Sequence, residues 1–460
     1  MGRKDILLSK IRGGGTLSGG EQLTLCLMLS YPAIIAQLSI VLMQYIDTSM
    51  VGHLGAAAGA SIGLVSTCMW LLGGFCMACT SGFSVQVAQL IGANDFAAAR
   101  KVLRQGLLSA LVFSSVLALL GAAVSGPLPH WLGGGEDICS DASRYFLICA
   151  LFVPFMQLDW MCASMLQASG EMKIPSLLNI GMCVLDVGFN YLFIYRLVMG
   201  VVGAAIGTGL AEVVTSLAML YFLSVRSKEL NLLQDSGSFS PTREVLGKAW
   251  GIGGPMALQN ILMRGAYIAA TVIVAPLGTI AIAANSFAIT AESFCYMPGH
   301  GISEAATTLV GQSVGAGRRP LARRFAWICT FMGMALMGTL AVVMYAFAPG
   351  IMGMLSPDEG VISLGARVLR IEAFAELGYA AAIVIYGVFV GAGDTKVPSL
   401  MNLCSMWIVR IIPAIFLTHR FGLVGFWSIM AFELTFRGAI FLIRLYRSRS
   451  LSAEPETAGA

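Results

Sequence analysis

Residues 168–180 read ASGEMKIPSLLNI and residues 391–403 read GAGDTKVPSLMNL, near-copies set 223 positions apart. The same spacing joins Pro32 to Pro255, Leu54-Gly55 to Leu277-Gly278, Gln89 to Gln312, Gly92-Ala93 to Gly315-Ala316 and Arg100-Lys101 to Arg323-Arg324. An offset that holds from Pro32 to Asn179 without a gap marks an internal duplication.

The duplicated unit is a membrane unit. The 460 residues are 57% apolar and 11% charged, with a mean hydropathy of +0.81. That is more apolar surface than a water-soluble core can hide, so the chain reads as a polytopic membrane protein. About twelve apolar runs could cross a core of roughly 30 Å as helices. They are expected near 26–50, 58–82, 103–125, 143–167, 174–196, 201–224, 250–274, 281–306, 325–348, 365–389, 397–418 and 423–446. The offset contains six runs, an even number, so both copies begin on the same side of the membrane. The predicted fold class is all-α integral membrane: 12 transmembrane helices in two six-helix lobes, related by a parallel repeat with a pseudo-twofold along the membrane normal. The expected domains are a cytoplasmic tail over 1–24, an N-terminal lobe over 25–225, a cytoplasmic linker over 226–248, a C-terminal lobe over 249–446 and a cytoplasmic tail over 447–460.

Lys and Arg orient the chain. With the N-terminus inside, the inner segments gather Arg100, Lys101, Arg104, Arg318, Arg319, Arg323, Arg324 and most other bases, while the outer segments hold only Arg144, Arg196, Arg367, Arg370 and Arg420. Both termini are therefore expected to be cytoplasmic in a multi-pass plasma-membrane protein, and the net charge of +4 reports topology rather than nucleic-acid binding. Ten of the eleven cysteines lie in or beside apolar runs and Cys139 is placed in an outer loop, so neither disulfides nor a cysteine metal site is expected. Residues 1–22 read as a loose tail with no cleavable signal. Within it, Leu17–Gln22 (LSGGEQ) is close to the signature of ABC transporters, but without any phosphate-binding loop the match reads as coincidence.

Candidate functional residues are the charges that the bilayer penalises. In the run around YPAIIAQLSIVLMQYIDTSMVGHLG (31–55), Asp47 is the one charge between Ala33 and Val51, with Gln37 and Gln44 near its side of the helix. A lone acid at a membrane-helix centre costs roughly 3 kcal/mol, which makes it a functional candidate. Its repeat equivalent is Ala270, so the fold does not demand the carboxylate. Asn179, Asp186 and Asn190 share one face of the fifth run, and the latter two are matched by Val409 and Pro413. At the helical rise, Asp186 lies about 16 Å from the cytoplasmic entry and Thr208 about 12 Å below the outer surface, so these groups can meet in the outer half of the first lobe. Two carboxylates, an amide oxygen and a hydroxyl suit sodium; a proton on one of the two acids suits the same geometry, and sequence leaves both open. Asp159 and Glu212 are weaker supporting candidates, together with Gln44 and Asn179. In the second lobe, Glu372, Glu376 and Tyr379 share a face and either line a cavity or pair with Arg264 or Arg410, the pairing being the favoured reading.

The duplicated Pro-led runs, the Gly-Ala followed by basic clusters, and the Gly-acid-x-Lys-x-Pro-Ser turns at Ser169–Ser176 and Ala392–Ser399 resemble the multidrug and toxic compound extrusion (MATE) family over nearly the whole chain. The resemblance implies a V-shaped two-lobe antiporter, not an enzyme, that exports amphipathic, often cationic compounds in exchange for sodium ions or protons. It further implies a first-lobe cation site at Asp47, Asp186 with Asn190, and Thr208. This chain departs from the family in carrying Asp before Asn on the fifth helix. It also has Met263 and Tyr379 where the NorM-like branch has acids, so it looks more similar to the DinF-like branch. The expected partners are small amphipathic or cationic substrates and membrane lipids, the expected cofactor is none beyond the coupling H+ or Na+, and a monomer is expected. A lipid-linked saccharide or lipid flippase of the same superfamily is the alternative. An integral-membrane transferase would need a surface His/Asp or paired-Asp motif, which His53, His130, His300 and His419 do not make.

Overall fold

The computed structural model describes residues 2–235, 237–448 and 451, and every regular element among them is helical. In hydrocarbon a helix satisfies its own backbone, so apolar runs of this length have no better choice. The helices are α1 (Arg3–Arg12), α2 (Gly19–Gly52), α3 (Ala56–Gly92), α4 (Phe96–Val124), α5 (Leu128–Trp131), α6 (Glu136–Ala168), α7 (Lys173–Asn190), α8 (Gly200–Tyr221), α9 (Arg243–Val274), α10 (Thr279–Gly315), α11 (Arg319–Leu355), α12 (Glu359–Ala373), α13 (Glu376–Ala392), α14 (Lys396–Cys404) and α15 (Ile412–Arg447). Among the described residues, ten stretches are long and apolar enough to cross a bilayer alone, and α12 with α13, bent by 57° at their junction, makes an eleventh. The longest stretch, Lys396–Arg447, contains the non-helical Gly422 (φ 62°, ψ −146°), which divides it into two spans and completes the expected twelve. Side chains such as Leu119, Val184 and Trp250 stand exposed on these helices, as lipid-facing residues do.

The duplication is written into the backbone as well as the sequence. Gly55 and Gly278 both have left-handed φ (111° and 90°), as do Asn94 and Gly317 (59° and 70°), and Gly170 and Gly393 (89° and 83°), each pair 223 positions apart. Gly200 and Gly422 (58° and 62°) form a fourth pair, one position closer. These are the turns between spans, where glycine, and asparagine at position 94, takes a left-handed conformation that other side chains resist.

Repeat copies and compact units are different divisions of the chain. One unit comprises Met1–Gln37 with Ile261–Ala460, and the other Leu38–Asn260, so the break falls inside α2 and inside α9, again 223 positions apart. The leading part of α2 packs in the first unit, where a Cβ on Gly301 would strike the Ile34 amide. The leading part of α9 packs in the second, where a Cβ on Gly253 would lie 2.5 Å from the Ala78 carbonyl. Small residues let membrane helices approach to backbone contact, and here they do so at matched places.

Two local expectations are corrected, the loose tail and the loop position of Cys139. The tail is not loose: α1 buries Leu7, Leu8 and Ile11, and Arg318 Nη1 donates to the carbonyls of Lys10 (2.9 Å) and Ile11 (3.3 Å). The LSGGEQ stretch has a structural role, because Ser18 and Glu21 form a capping box at the start of α2. The Ser18 amide donates to Glu21 Oε2 (2.9 Å) and the Glu21 amide to Ser18 Oγ (3.2 Å). Glu21 also pairs with Lys10, and the two interactions hold its carboxyl below the usual range. Within the 226–248 stretch, Asp235 pairs with Arg104 and Arg100, whose guanidiniums hold its carboxyl below the usual range. Cys139, expected in a loop, is buried in the first turn of α6.

Candidate functional site

In the unit Leu38–Asn260, α7 and α8 run antiparallel at backbone distance. A Cβ on Gly207 would collide with Asn190, and one on Gly203 would lie 2.8 Å from the Phe193 carbonyl. That register sets Asp186, four residues before Asn190, level with Ala211 on α8. Asn190 Nδ2 donates to Asp47 Oδ1 (3.1 Å) and to Asp186 Oδ2 (3.2 Å), so a single amide bridges the two acids. Thr208 follows directly on Gly207, the α8 residue that meets Asn190, and Asp47 shares the Asn190 amide with Asp186. Asp186 and Asn190 are buried, Asp47 is half-buried, and Asp186 Oδ1 and Asn190 Oδ1 are buried without a hydrogen-bond partner. Unpartnered buried oxygens are costly, and these two beside the Asp47 carboxyl make a donor set that a hard cation or a proton would satisfy. Just beyond the site α7 passes into a π-helical turn over Tyr191–Arg196, an irregularity frequent at functional sites.

Asp47, Asp186, Asn190 and Thr208 are thus brought together. Gln44 is half-buried one turn before Asp47, its carbonyl accepting from Thr48, and Asn179 lies two turns earlier on α7. Gln37, expected on Asp47's side, belongs to the other compact unit, where its amide donates to Glu304 (2.7 Å). Asp159 is buried on α6 with Oδ1 unpartnered, and Glu212 is half-buried on α8. Gly207 is the residue that sequence reading missed; a glycine facing a buried polar pair was its only signal.

The unit containing Ile261–Ala460 is arranged otherwise. The expected pairing of Glu372 or Glu376 with Arg410 does not form. Arg410 donates instead to Glu433 Oε2 through Nε (3.0 Å) and Nη2 (2.7 Å), and Arg437 Nε donates to Oε1 of the same carboxylate (2.7 Å), with Ser405 as a further donor. Glu433 lies on the same helix as Arg437, one turn away, so the two pair along a single helix face. Arg264 stacks 5.7 Å from the Tyr267 ring. The expected continuous tenth helix is broken between Ala373 and Glu376, and across the break Glu372 and Glu376 converge on Glu292 of α10, with one oxygen of each within 4.8 Å of the others. All four oxygens of Glu372 and Glu376 are buried without hydrogen-bond partners. Tyr379 packs on Tyr296 with ring centroids 5.6 Å apart.

Comparison with known proteins agrees with this duplicated design. A protein with the description "Probable multidrug resistance protein NorM" from Chromobacterium violaceum is 24% identical over 430 residues, covering 91% of this chain and 92% of its own. A protein of the same description from Brucella suis is 28% identical over 451 residues, covering 93% of both. Among solved structures, the outward-facing conformation of a multidrug resistance MATE family transporter superposes with a TM-score of 0.90 at 20% identity, over 99% of both chains. A MOP superfamily transporter from Pyrococcus furiosus superposes with a TM-score of 0.89 at 20% identity, over 97% of this chain and 98% of that one. The MatE family profile matches twice, over residues 32–192 and 255–416, its two starting points 223 positions apart. With both copies of the repeat matched, this chain belongs to the MatE family.

Proposed function

We propose that the protein is a secondary active antiporter of the plasma membrane, with both termini cytoplasmic, that exports amphipathic, cationic drugs or toxins in exchange for H+ or Na+ by alternating access. The observation that carries this reading is the bridge of Asp47 and Asp186 by Asn190 in one copy of the repeat. Two carboxyls this close, away from any fixed base, repel each other unless a proton or a cation lies between them. In the outward state that ion enters from outside; its binding draws α2, α7 and α8 together and favours substrate release, and its inward loss resets the cycle. The relatives named for multidrug resistance support the substrate class. Sodium would be held by Asp47, Asp186, Asn190 and Thr208, and the unpartnered oxygens of Asp186 and Asn190 fit that role. Met263 and Tyr379 support a DinF-like rather than NorM-like ion inventory.

Exchange of one proton for one monovalent cation moves no net charge, so each pH unit supplies about 1.4 kcal/mol. A neutral substrate would draw about 2.3 kcal/mol more per 100 mV. The test is efflux of a lipophilic cationic dye from cells lacking their own pumps: Asp47→Asn should abolish ion-driven efflux while the protein remains in the membrane. An Asp47→Asn protein that clears dye at the wild-type rate would sink the coupling role.

A further inference from the structure

We infer that the groove between α11, α12 and α15 holds one anionic phospholipid, with its phosphate between Arg367 and Arg370 and an acyl chain along Phe374 and Phe432. The groove lies wholly within the unit that contains Ile261–Ala460 and has a volume of about 760 Å³, inside the roughly 300–1,000 Å³ range of ligand clefts. Ser363, Arg367, Arg370 and Phe374 recur at i, i+4, i+7 and i+11, so they share one face of α12 and its C-cap, and all four are exposed. Glu372, on the opposite side of α12, is buried in the acid cluster with Glu292 and Glu376. The helix thus turns its bases outward and its acid inward. Their level in the bilayer follows from the helical rise. Arg370 precedes Ala392, the end of α13, by 22 positions, which is about 33 Å, and a hydrocarbon core is roughly 30 Å thick. The two guanidiniums therefore stand where the core gives way to headgroups, on the outer side in the orientation proposed above.

Charge complementarity names the occupant. Arg370 Nε donates to the Tyr345 carbonyl (3.3 Å), its guanidinium lies 5.6 Å from the Tyr345 ring, and that ring meets Phe374 edge-on at 5.6 Å. The guanidinium is held in place by neutral groups, and among the described residues no carboxylate pairs with it or with Arg367. Two such forks match the oxygens of a phosphate, and Ser363 adds a hydroxyl one turn before Arg367. The same charges repel a cationic amphiphile. Below them the surface is apolar: Phe374 is 74% exposed and Phe432 59%, and Phe432 stacks on Phe436 one turn further along α15. Aromatic surface left open beside paired bases suits an amphiphile with an anionic head and a hydrocarbon tail. The other copy of the repeat lacks the device. Arg144, Leu147, Leu151 and Ala122 stand 223 positions before Arg367, Arg370, Phe374 and Tyr345, and α6 runs unbroken where α12 and α13 are bent by 57°. The fold therefore demands neither the second guanidinium nor its aromatic seat.

The experiment offers the purified full chain in detergent equal amounts of dioleoylphosphatidylglycerol and dioleoylphosphatidylcholine and counts the retained lipids by native mass spectrometry. One phosphatidylglycerol should be held about tenfold or more tightly than phosphatidylcholine, the pull expected of two bases at headgroup level. Glycerol 3-phosphate, a head without chains, should not displace it at equal concentration. A phosphatidylglycerol with a photoreactive group on its acyl chain should cross-link to peptides within 345–374 or 428–435. Arg367→Gln combined with Arg370→Gln should abolish the preference, and Arg367→Lys with Arg370→Lys should keep most of it. Equal retention of the two lipids by the wild-type protein overturns the inference, and so does cross-linking confined to other segments. Displacement by glycerol 3-phosphate would mark a plain anion site and overturns it as well. A folded double Gln variant that keeps the preference does the same; if that variant does not fold, the wild-type preference, competition and cross-links decide. None of these readings depends on transport or on orientation, so their failure leaves the antiport reading standing.

Discussion

In one copy of the repeat, Asp47 and Asp186 share the amide of Asn190; in the other, Glu433 is gripped by Arg410, Arg437 and Ser405. The backbones are near-copies down to their left-handed turns, yet the positions of Asp47, Asp186 and Asn190 are Ala270, Val409 and Pro413 in the second copy. Conversely, Glu292, Glu372 and Glu376 stand where the first copy has Met69, Cys149 and Val153. The duplicated scaffold therefore constrains helices and turns and leaves the buried charges free to differ. A carboxylate with two fixed guanidiniums is already neutralised, whereas carboxyls that share only a neutral amide stay available to a mobile ion. The helix geometry follows the chemistry. Pro413 has no amide proton to give the preceding turn, and α14 passes through a π-helical turn over Ser405–Ile411 just before it, while in the first copy the π turn comes after Asn190.

The comparison is broken most forcefully at Glu433. Glu433→Gln leaves two guanidiniums buried without their counter-charge and should cost about 3–5 kcal/mol, read as a lowered denaturation midpoint of the purified protein; an unchanged midpoint would show the cluster to be dispensable. Ala270→Asp places the first copy's acid where no Asn190 equivalent waits to bond it, and should cost about 3 kcal/mol in the same assay. If it costs nothing, the second copy accommodates an isolated acid after all. Gly207→Ala pushes a methyl group into Asn190 and should cost about 1–3 kcal/mol while weakening ion-driven efflux, the two effects moving together. Efflux intact at full stability would mean that the α7/α8 approach is not what positions the amide. Ser18→Ala removes one half of the capping box at the start of α2. It should cost about 1 kcal/mol and leave transport untouched, so a transport defect there would couple α1 and the start of α2 to the cycle.

The spans were legible because hydrocarbon allows little choice: a run of some twenty apolar residues must be helical, and only turn residues interrupt it. The convergence of Asp47, Asp186 and Asn190 was legible for the same reason, since each acid stood alone in an apolar run. The capping box at Ser18 and Glu21 was equally readable, as Ser-x-x-Glu ahead of an apolar run, but its likeness to a transporter signature drew the reading elsewhere. Pairings between helices were hidden. Arg410 could reach toward Glu372, Glu376 or Glu433, and spacing along the chain does not say which. Gln37 shares a helix with Asp47 and still bonds Glu304 in the other compact unit, because the break inside α2 separates them.

By itself, then, the sequence determined the duplication, the helical membrane fold and which charges could not be there for the fold's sake, because periodicity and hydropathy act along a single chain. Only the tertiary structure decided which acid meets an amide and which meets a guanidinium. Those choices depend on the register between helices, and that register is set at points such as Gly207, Gly301 and Gly253, where the absence of a Cβ lets two backbones touch.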